Sequence, residues 1–293
     1  MKDKTFNAVR SVLVVLICAL IIFVAALLVY DDATKTNYDG NDTVTFLDVG
    51  QGDSALIQSG GYSALIDTGT APQGMNIAKK LRKAGVNQLD VLILTHPHDD
   101  HIGSAQFLIS EIPTKNIILS QILPRDDEDA RAYKDIKDYA KEISVNVYYA
   151  TEGLVINIGN FELTVLMSNE EASDENDASI IIMAKNGDKK FLFTGDAETA
   201  AENKLLNDGI NLDCDVLKVG HHGSNSSSSS KFLGACTPQY AVISVGKDNI
   251  YSHPSDKVLK RLNGMGINTL RTDERGDIAF KIIDGELRYT AER

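Results

Sequence analysis

Residues 90–101 read DVLILTHPHDDH, an apolar run that breaks into three histidines and two aspartates within six positions. Four consecutive Val, Leu and Ile residues bounded by polar neighbours predict a buried β-strand. A strand that ends in a polar loop sets its last side chains at the mouth of a cleft, where loops carry function. Imidazole and carboxylate together make a donor set that suits zinc, with manganese or iron as alternatives. The chain has 6 histidines, and half of them lie in this loop, which argues against a merely hydrophilic turn.

Working outward, the same pattern of apolar run followed by polar donors recurs three times. KKFLFTGD (189–196) ends on Asp196, CDVLKVGHHGS (214–224) on His221 and His222, and YAVISVG (240–246) leads to His253 in YSHPS (251–255). Asp196 has two readings, a carboxylate that bridges two metals or a cap for the helix expected over 197–206. Adjacent His221 and His222, on opposite sides of a strand end, can supply one ligand and one group facing the substrate. Further short β-rich runs include VTFLDV (44–49), SALIQS (54–59), SALIDTG (63–69), VNVYYA (145–150), FELTVLM (161–167) and DIAFKII (277–283). Helical spacing is expected over 75–84, 127–143 and 255–262, with Tyr133, Ile136, Ala140 and Ile143 on one stripe of the second. Many short strands interspersed with helices predict an α/β architecture of two packed sheets flanked by helices. The serine run 226–230 reads as a loop entering a short helix.

FLDVGQGDS (46–54), LIDTG (65–69), LTHPHDDHIGS (94–104), FTGDAE (193–198), LKVGHHGS (217–224) and ISVG with YSHPS (243–255) together resemble one group of the metallo-β-lactamase superfamily. They are similar to the C-terminal metallo-β-lactamase-like domain of the ComEC competence proteins, over roughly residues 43–290. The resemblance implies a four-layer αββα sandwich with two divalent metal ions at one edge of the sheets, zinc first and manganese as the alternative. It places His96 and His98 on one metal, Asp100 and His101 on the other, and Asp196 between them. His222 completes the second metal while His221 faces substrate, with an exchange of the two left open. Asp67 matches the family's supporting aspartate, and the loop carrying Asp48 and Asp53 is expected along the same rim. Many members supply a further histidine between the HxHxDH loop and the bridging aspartate, and this chain has none between His101 and Asp196. The segment holding Asn176 and Asp177 occupies that region, so either a side chain from it stands in or the first metal position is open.

The N-terminal stretch decides the expected compartment. Residues 11–30 carry no charge, Lys2, Lys4 and Arg10 precede them, and Asp31 and Asp32 follow. About 20 helical residues cross a hydrocarbon core of about 30 Å. The positive charge before the run predicts a cytoplasmic N-terminus and a body outside the membrane. A signal peptide cut near Ala25-Ala26, giving a secreted protein, is the alternative. The expected plan is therefore a cytoplasmic stub and single-pass transmembrane anchor (1–30), a polar linker (31–42) and a hydrolase domain (43–293). Cys214 and Cys236 are read as small buried residues, with a disulfide between them as the alternative.

Two cations close together acidify water and stabilise developing charge, which suits phosphodiester hydrolysis. In that reading Asp100 orients the attacking water, and His221 or His253 stabilises the phosphoryl oxygens or protonates the leaving one. Lys218, Ser224 and Asn225 are further candidates for contacting phosphate. The resemblance points to DNA as the substrate, in competence. Against it stand a net charge of −12, which repels polyanions at long range, and a sequence with no visible basic stripe or aromatic platform. The rivals are a phosphodiesterase acting on cell-wall or teichoic-acid decoration, and a metal-binding membrane partner that hydrolyses nothing.

Overall fold

The computed structural model describes residues 40–122, 124 and 127–293. The expected anchor lies outside the described residues, as does the linker up to residue 39. Among the described residues no helix is long and apolar enough to cross a membrane.

The strands are β1 (Asp42–Phe46), β2 (Ala55–Ser59), β3 (Tyr62–Ile66), β4 (Leu89–Leu94), β5 (Thr114–Leu119), β6 (Asn146–Tyr149), β7 (Val155–Ile158), β8 (Phe161–Met167), β9 (Ile181–Asn186), β10 (Lys189–Phe193), β11 (Val216–Lys218), β12 (Tyr240–Ile243), β13 (Asn268–Arg271), β14 (Ile278–Ile283) and β15 (Glu286–Ala291). They form an 8-stranded sheet in the order β15-β14-β1-β2-β3-β4-β5-β6 and a 7-stranded sheet in the order β13-β12-β11-β10-β9-β8-β7.

Period-two alternation explains how two faces are buried differently. Along β8, Phe161, Leu163, Val165 and Met167 are buried while the residues between them are more open. Phe161, Leu163 and Val165 join Val44, Phe46, Phe191 and Phe280 in the core between the two sheets. The outer face of the first sheet is covered by α1 (Gly74–Lys83), α2 (Asp99–Ile102), α3 (Ala105–Glu111) and α4 (Asp127–Glu142), through Ile77, Leu81, Ile102, Leu108 and Ile136. The outer face of the second is covered by α5 (Thr199–Asn207), α6 (Ser230–Cys236) and α7 (Asp256–Gly264), through Leu205, Phe232, Val258 and Leu262. The layers run helix, sheet, sheet, helix, as expected.

Two local expectations need correction, and the expected reading of the cysteines holds. Tyr133, Ile136 and Ala140 are buried, but Ile143 falls past the end of α4 and is exposed. The strand expected over 214–222 is confined to β11, because Gly220–Gly223 forms a 3₁₀ turn. Cys214 and Cys236 are both free and buried, so the small-residue reading describes them and the disulfide does not. Cys214 lies just ahead of β11 and Cys236 at the end of α6, with the Cys214 N–H donating to the Cys236 carbonyl at 2.9 Å.

What positions the site is the parallel pairing. Strands β3 and β4 run parallel in one sheet, and β10, β11 and β12 run parallel in the other. The loops that follow them therefore leave one edge of the sandwich together. The Ile180 N–H donates to the Thr95 carbonyl at 2.9 Å and ties the two sheets at that edge.

The loop behind His222 is held by a buried carboxylate. Glu202 on α5 accepts hydrogen bonds from the backbone N–H groups of Ser228 and Ser229. Glu202→Ala leaves both N–H groups inside without an acceptor, so it is expected to lower unfolding stability by about 2–4 kcal/mol. Urea titration checks this, and an unchanged midpoint would count against the assignment.

Candidate metal centre

The centre begins with Asp67 and Thr95, which follow the parallel strands β3 and β4. The Asp67 carboxylate accepts from the Thr95 N–H (2.8 Å), the Thr95 hydroxyl (2.8 Å) and Nδ1 of His101 (2.8 Å). One buried carboxylate thus orients both ends of the histidine loop. Asp99 and Asp100 occupy the first turn of α2, where carboxylates complement the helix dipole.

Each of the four imidazoles closest to the centre has one nitrogen held from behind and the other turned inward. His96 Nδ1 faces the hydroxyls of Thr95 (3.2 Å) and Ser179 (3.3 Å). Its Nε2 meets His98 Nδ1 at 3.1 Å, while His98 Nε2 lies 3.4 Å from Glu175. Beyond the Asp67 bond, His101 turns Nε2 to within 3.2 Å of Asp196. Nδ1 of His222 donates to the Ser244 carbonyl at 2.9 Å, and its Nε2 meets Asp100 at 3.0 Å and Asp196 at 3.5 Å. Pinning the outer nitrogen sets the tautomer and aim of a ligand histidine.

Two further features fit a cation. Ligand atoms of Asp100, His101, Asp196 and His222 all lie within 4.8 Å of one another. His101 Nε2 and Asp196 Oδ1 are buried without a hydrogen-bond partner although they face each other. Polar atoms in that state are costly unless something else satisfies them, and a divalent cation does so.

The electrostatics agree. Burial alone would lower the pKa of His222, but the carboxylates of Asp196 and Asp53 outweigh it and raise the value to about 10. His101 is likewise raised well above its ordinary value, since Asp196, Asp67 and Asp100 outweigh its burial. Protons on these two rings occupy the role a cation would take, and binding a metal must displace them. His96 moves the other way, because burial and the charge on His101 keep it neutral.

Tertiary structure separates the paired histidines of the HHG turn. Both adopt left-handed backbone conformations, with φ of 47° at His221 and 51° at His222. Such conformations cost of order 1–3 kcal/mol each in a non-glycine residue and cluster at functional sites. The expected placement on the two sides of a strand end is overturned, because both residues lie in this turn past β11. The turn sends His222 inward onto Asp100 and Asp196 and leaves His221 on the cleft wall. There the His221 Nδ1 bonds Glu198 at 2.9 Å, and Glu198 also accepts from the Ser226 hydroxyl at 2.7 Å. His253 stands beside it at 5.4 Å between ring centroids, and burial with the neighbouring His221 and His222 lowers its pKa to about 4.

Gly195, in the loop after β10, has φ of +50°, and a Cβ there would meet the Ser179 side chain at 2.9 Å. Gly52 lets the loop after β1 close on α2, for a Cβ would lie 2.4 Å from the Asp100 carbonyl. Both glycines are positions of close backbone approach.

Several expected residues stand elsewhere. Lys218 is 3 % exposed and does not reach the rim; it lies beneath the centre, paired with Asp53 and 3.1 Å from the Gly195 carbonyl. Asp53 is buried with it, whereas Asp48 turns away to bond Arg293 and cap the Gly50 N–H. Asp177 is used as a helix cap, accepting from the N–H groups of Glu198 (3.0 Å) and Ala201 (3.1 Å). Asp196 is therefore free of the capping role that its sequence position also allowed. Ser224 bonds Ser226 within its own turn. Asn176 does line the cleft, with its Oδ1 buried and unpartnered.

The cleft has a volume of about 650 Å³. Its walls differ: Asp99, Glu128 and Asp129 make one acidic, while His221, His253 and Tyr251 make another aromatic. Glu175, Ser179, Glu198 and Tyr251 escaped the sequence reading. Glu198 and Tyr251 do fall inside the motif strings FTGDAE and YSHPS, which was the signal to follow.

Comparison with known proteins bears on the family and the fold. The chain is 33% identical over 261 residues to ComE operon protein 3 of Bacillus subtilis, covering 81% of this chain and 33% of that protein. It is 36% identical over 247 residues to Competence protein ComA of Neisseria gonorrhoeae, covering 84% and 33%. The chain thus spans about a third of the length of these curated relatives. Among solved structures, the metallo hydrolase Igni18 from Ignicoccus hospitalis superposes with a TM-score of 0.53 at 14% identity, over 81% of this chain and 98% of that one. The metallo-beta-lactamase fold protein YhfI from Bacillus subtilis superposes with a TM-score of 0.50 at 15% identity, over 78% and 95%. At those identities the likeness is one of fold. The family model of the Metallo-beta-lactamase superfamily matches residues 47–247, and the chain belongs to that superfamily of metal-dependent hydrolases.

Proposed function

We propose that this chain is a phosphodiesterase acting on DNA outside the membrane, in the uptake of DNA during competence. The observation that carries the reading is Asp196, which is 2 % exposed and lies between imidazoles from separate loops at the floor of an open cleft. The competence names of the curated relatives support the DNA substrate.

His96 and His98 would hold one divalent ion and Asp100, His101 and His222 the other, with Asp196 shared. Zinc suits the imidazole-rich set, and manganese suits a first position completed by the Asn176 oxygen. Bound there, the ions would acidify water and stabilise charge on the phosphoryl group. Asp100 lines the open cleft, so its carboxylate would also orient the attacking water. His221, steadied by Glu198, donates a proton toward the leaving oxygen. His253, neutral because its pKa is low, supplies a hydrogen bond to a non-bridging oxygen rather than a full charge. Lys218 holds Asp53 and neutralises the carboxylates below the centre. The uncharged segment 12–30 would anchor the chain with the cleft on the outer side.

A second reading has its own observation. Asp99, Glu128 and Asp129 on one wall favour a cationic group such as choline, which suits a wall-decoration esterase. The full chain, loaded with Mn or Zn, is to be assayed on single-stranded DNA, bis-p-nitrophenyl phosphate, glycerophosphocholine and nitrocefin. Cleavage of DNA and of the small diester is expected, with loss of both on adding chelator and recovery on returning metal. Glycerophosphocholine turnover without DNA cleavage would transfer the assignment to the esterase. Bound metal with no turnover of any substrate would leave a binding partner only.

A further inference from the structure

We infer that Tyr251 is a nucleobase-stacking platform, so the site takes single-stranded nucleic acid with a base seated beside the scissile phosphate. The inference rests on the phosphodiesterase reading and adds to it the group that recognises the substrate.

Tyr251 is 60 % exposed, and the adjacent Ile250 is 89 % exposed, yet both stand on a loop that is firmly held. The Asn249 side chain donates to the carbonyls of Gly246 (2.9 Å) and His253 (2.6 Å). Its oxygen accepts from the N–H groups of Tyr251 and His253, each at 3.1 Å. Apolar side chains presented on so constrained a loop are placed for contact, because the ordering cost of binding has been met in advance.

The ring's orientation is set as well. Tyr251 stacks on His253 with centroids 5.8 Å apart and planes 25° apart. His253 in turn lies 5.4 Å from His221 and 6.5 Å from His222. A row of flat rings therefore climbs from the metal floor to the rim along one wall. A phosphate held against His221 and His253 places its neighbouring sugar and base within reach of Tyr251. Base–aromatic stacking tolerates any sequence, since every base has a π-face. The same cleft is also lined by Asp99, whose carboxylate does not favour phosphate, so the ring row is the side suited to the strand. Lys247, exposed on the same loop as Tyr251, adds positive charge there. This answers the difficulty of an acidic body: the strand is admitted along one wall instead of being attracted by the whole protein.

The test uses the full, metal-loaded chain and a fluorescein-labelled phosphorothioate dT12, read by anisotropy. Tyr251→Ala is expected to weaken binding about 5- to 150-fold, the range for loss of one stacked base. Tyr251→Phe and Tyr251→Trp should bind at least as well as the native chain. An abasic dodecamer of equal charge should bind the native chain as weakly as dT12 binds Tyr251→Ala. In turnover, Tyr251→Ala should lose more on the oligonucleotide than on glycerophosphocholine, by about fivefold or more. Equal losses on both would mean that the ring only buttresses His253, and would overturn the proposal. So would unchanged dT12 binding by Tyr251→Ala, equal binding of the abasic strand, or no binding of either strand by the native chain. Absence of hydrolysis with any metal would refute the enzyme reading while leaving the binding comparison informative.

Discussion

Asp196→Ala is expected to lower diester turnover by at least about 10³-fold, a loss of about 4 kcal/mol of transition-state stabilisation. It is also expected to remove bound metal. The carboxylate faces Nε2 of His101 at 3.2 Å, His222 at 3.5 Å and His221 at 3.7 Å, with the Lys218 ammonium at 3.9 Å. No other side chain in the cluster is approached by so many donors from different loops. Without it the imidazoles retain their places but lose the anion they share, and a dication there would be held by one carboxylate fewer. Asp196→Asn separates charge from shape, because it fills the same space with a neutral group. Metal content and turnover should fall with both variants. Retention of two metals and of activity within tenfold of the native value would sink the assignment of Asp196 as the shared ligand.

Lys218→Met should have the largest effect on the fold itself. Lys218 is buried against Asp53, the Gly195 carbonyl and Asp196; burial by itself would lower its pKa, but the carboxylates of Asp53, Asp196 and Asp67 raise it. Removing the ammonium leaves the buried Asp53 carboxylate without its shortest cationic partner. Breaking a buried charge pair costs about 3–5 kcal/mol, because the surviving charge is left uncompensated. The metal-free variant should therefore unfold at much lower urea than the native chain. Saturating metal should recover more stability in the variant than in the native protein, since the cation replaces part of the missing charge. Lys218→Arg should not rescue it, because a planar guanidinium does not fit a cavity shaped for an ammonium. Equal stability of native and Lys218→Met proteins without metal would show that the buried pair carries no such role.

The donors themselves were legible from the chain. A buried strand running into His96-Pro97-His98-Asp99-Asp100-His101 announces a cleft-mouth cluster, and the β-rich alternation from Thr43 onward announces packed sheets. Those features are local, governed by period and composition over fewer than a dozen residues. The identity of a ligand set is likewise chemical and travels with residue type.

Orientation was not legible, because it depends on contacts between segments far apart in sequence. Asp100 and His222 meet across 122 positions, brought together by parallel strands whose C-terminal ends share one edge. His221 and His222 part company only through left-handed backbone that a sequence does not display. Lys218 follows the register of β11, which carries it under the centre and away from solvent. Asp177 is claimed by the start of α5, and Asp48 by Arg293, so two plausible acids never face the cleft. Residue chemistry alone thus determined which groups could serve in this protein. The packing of two sheets, face to face, decided which of them do, because side-chain direction is a property of backbone geometry and register.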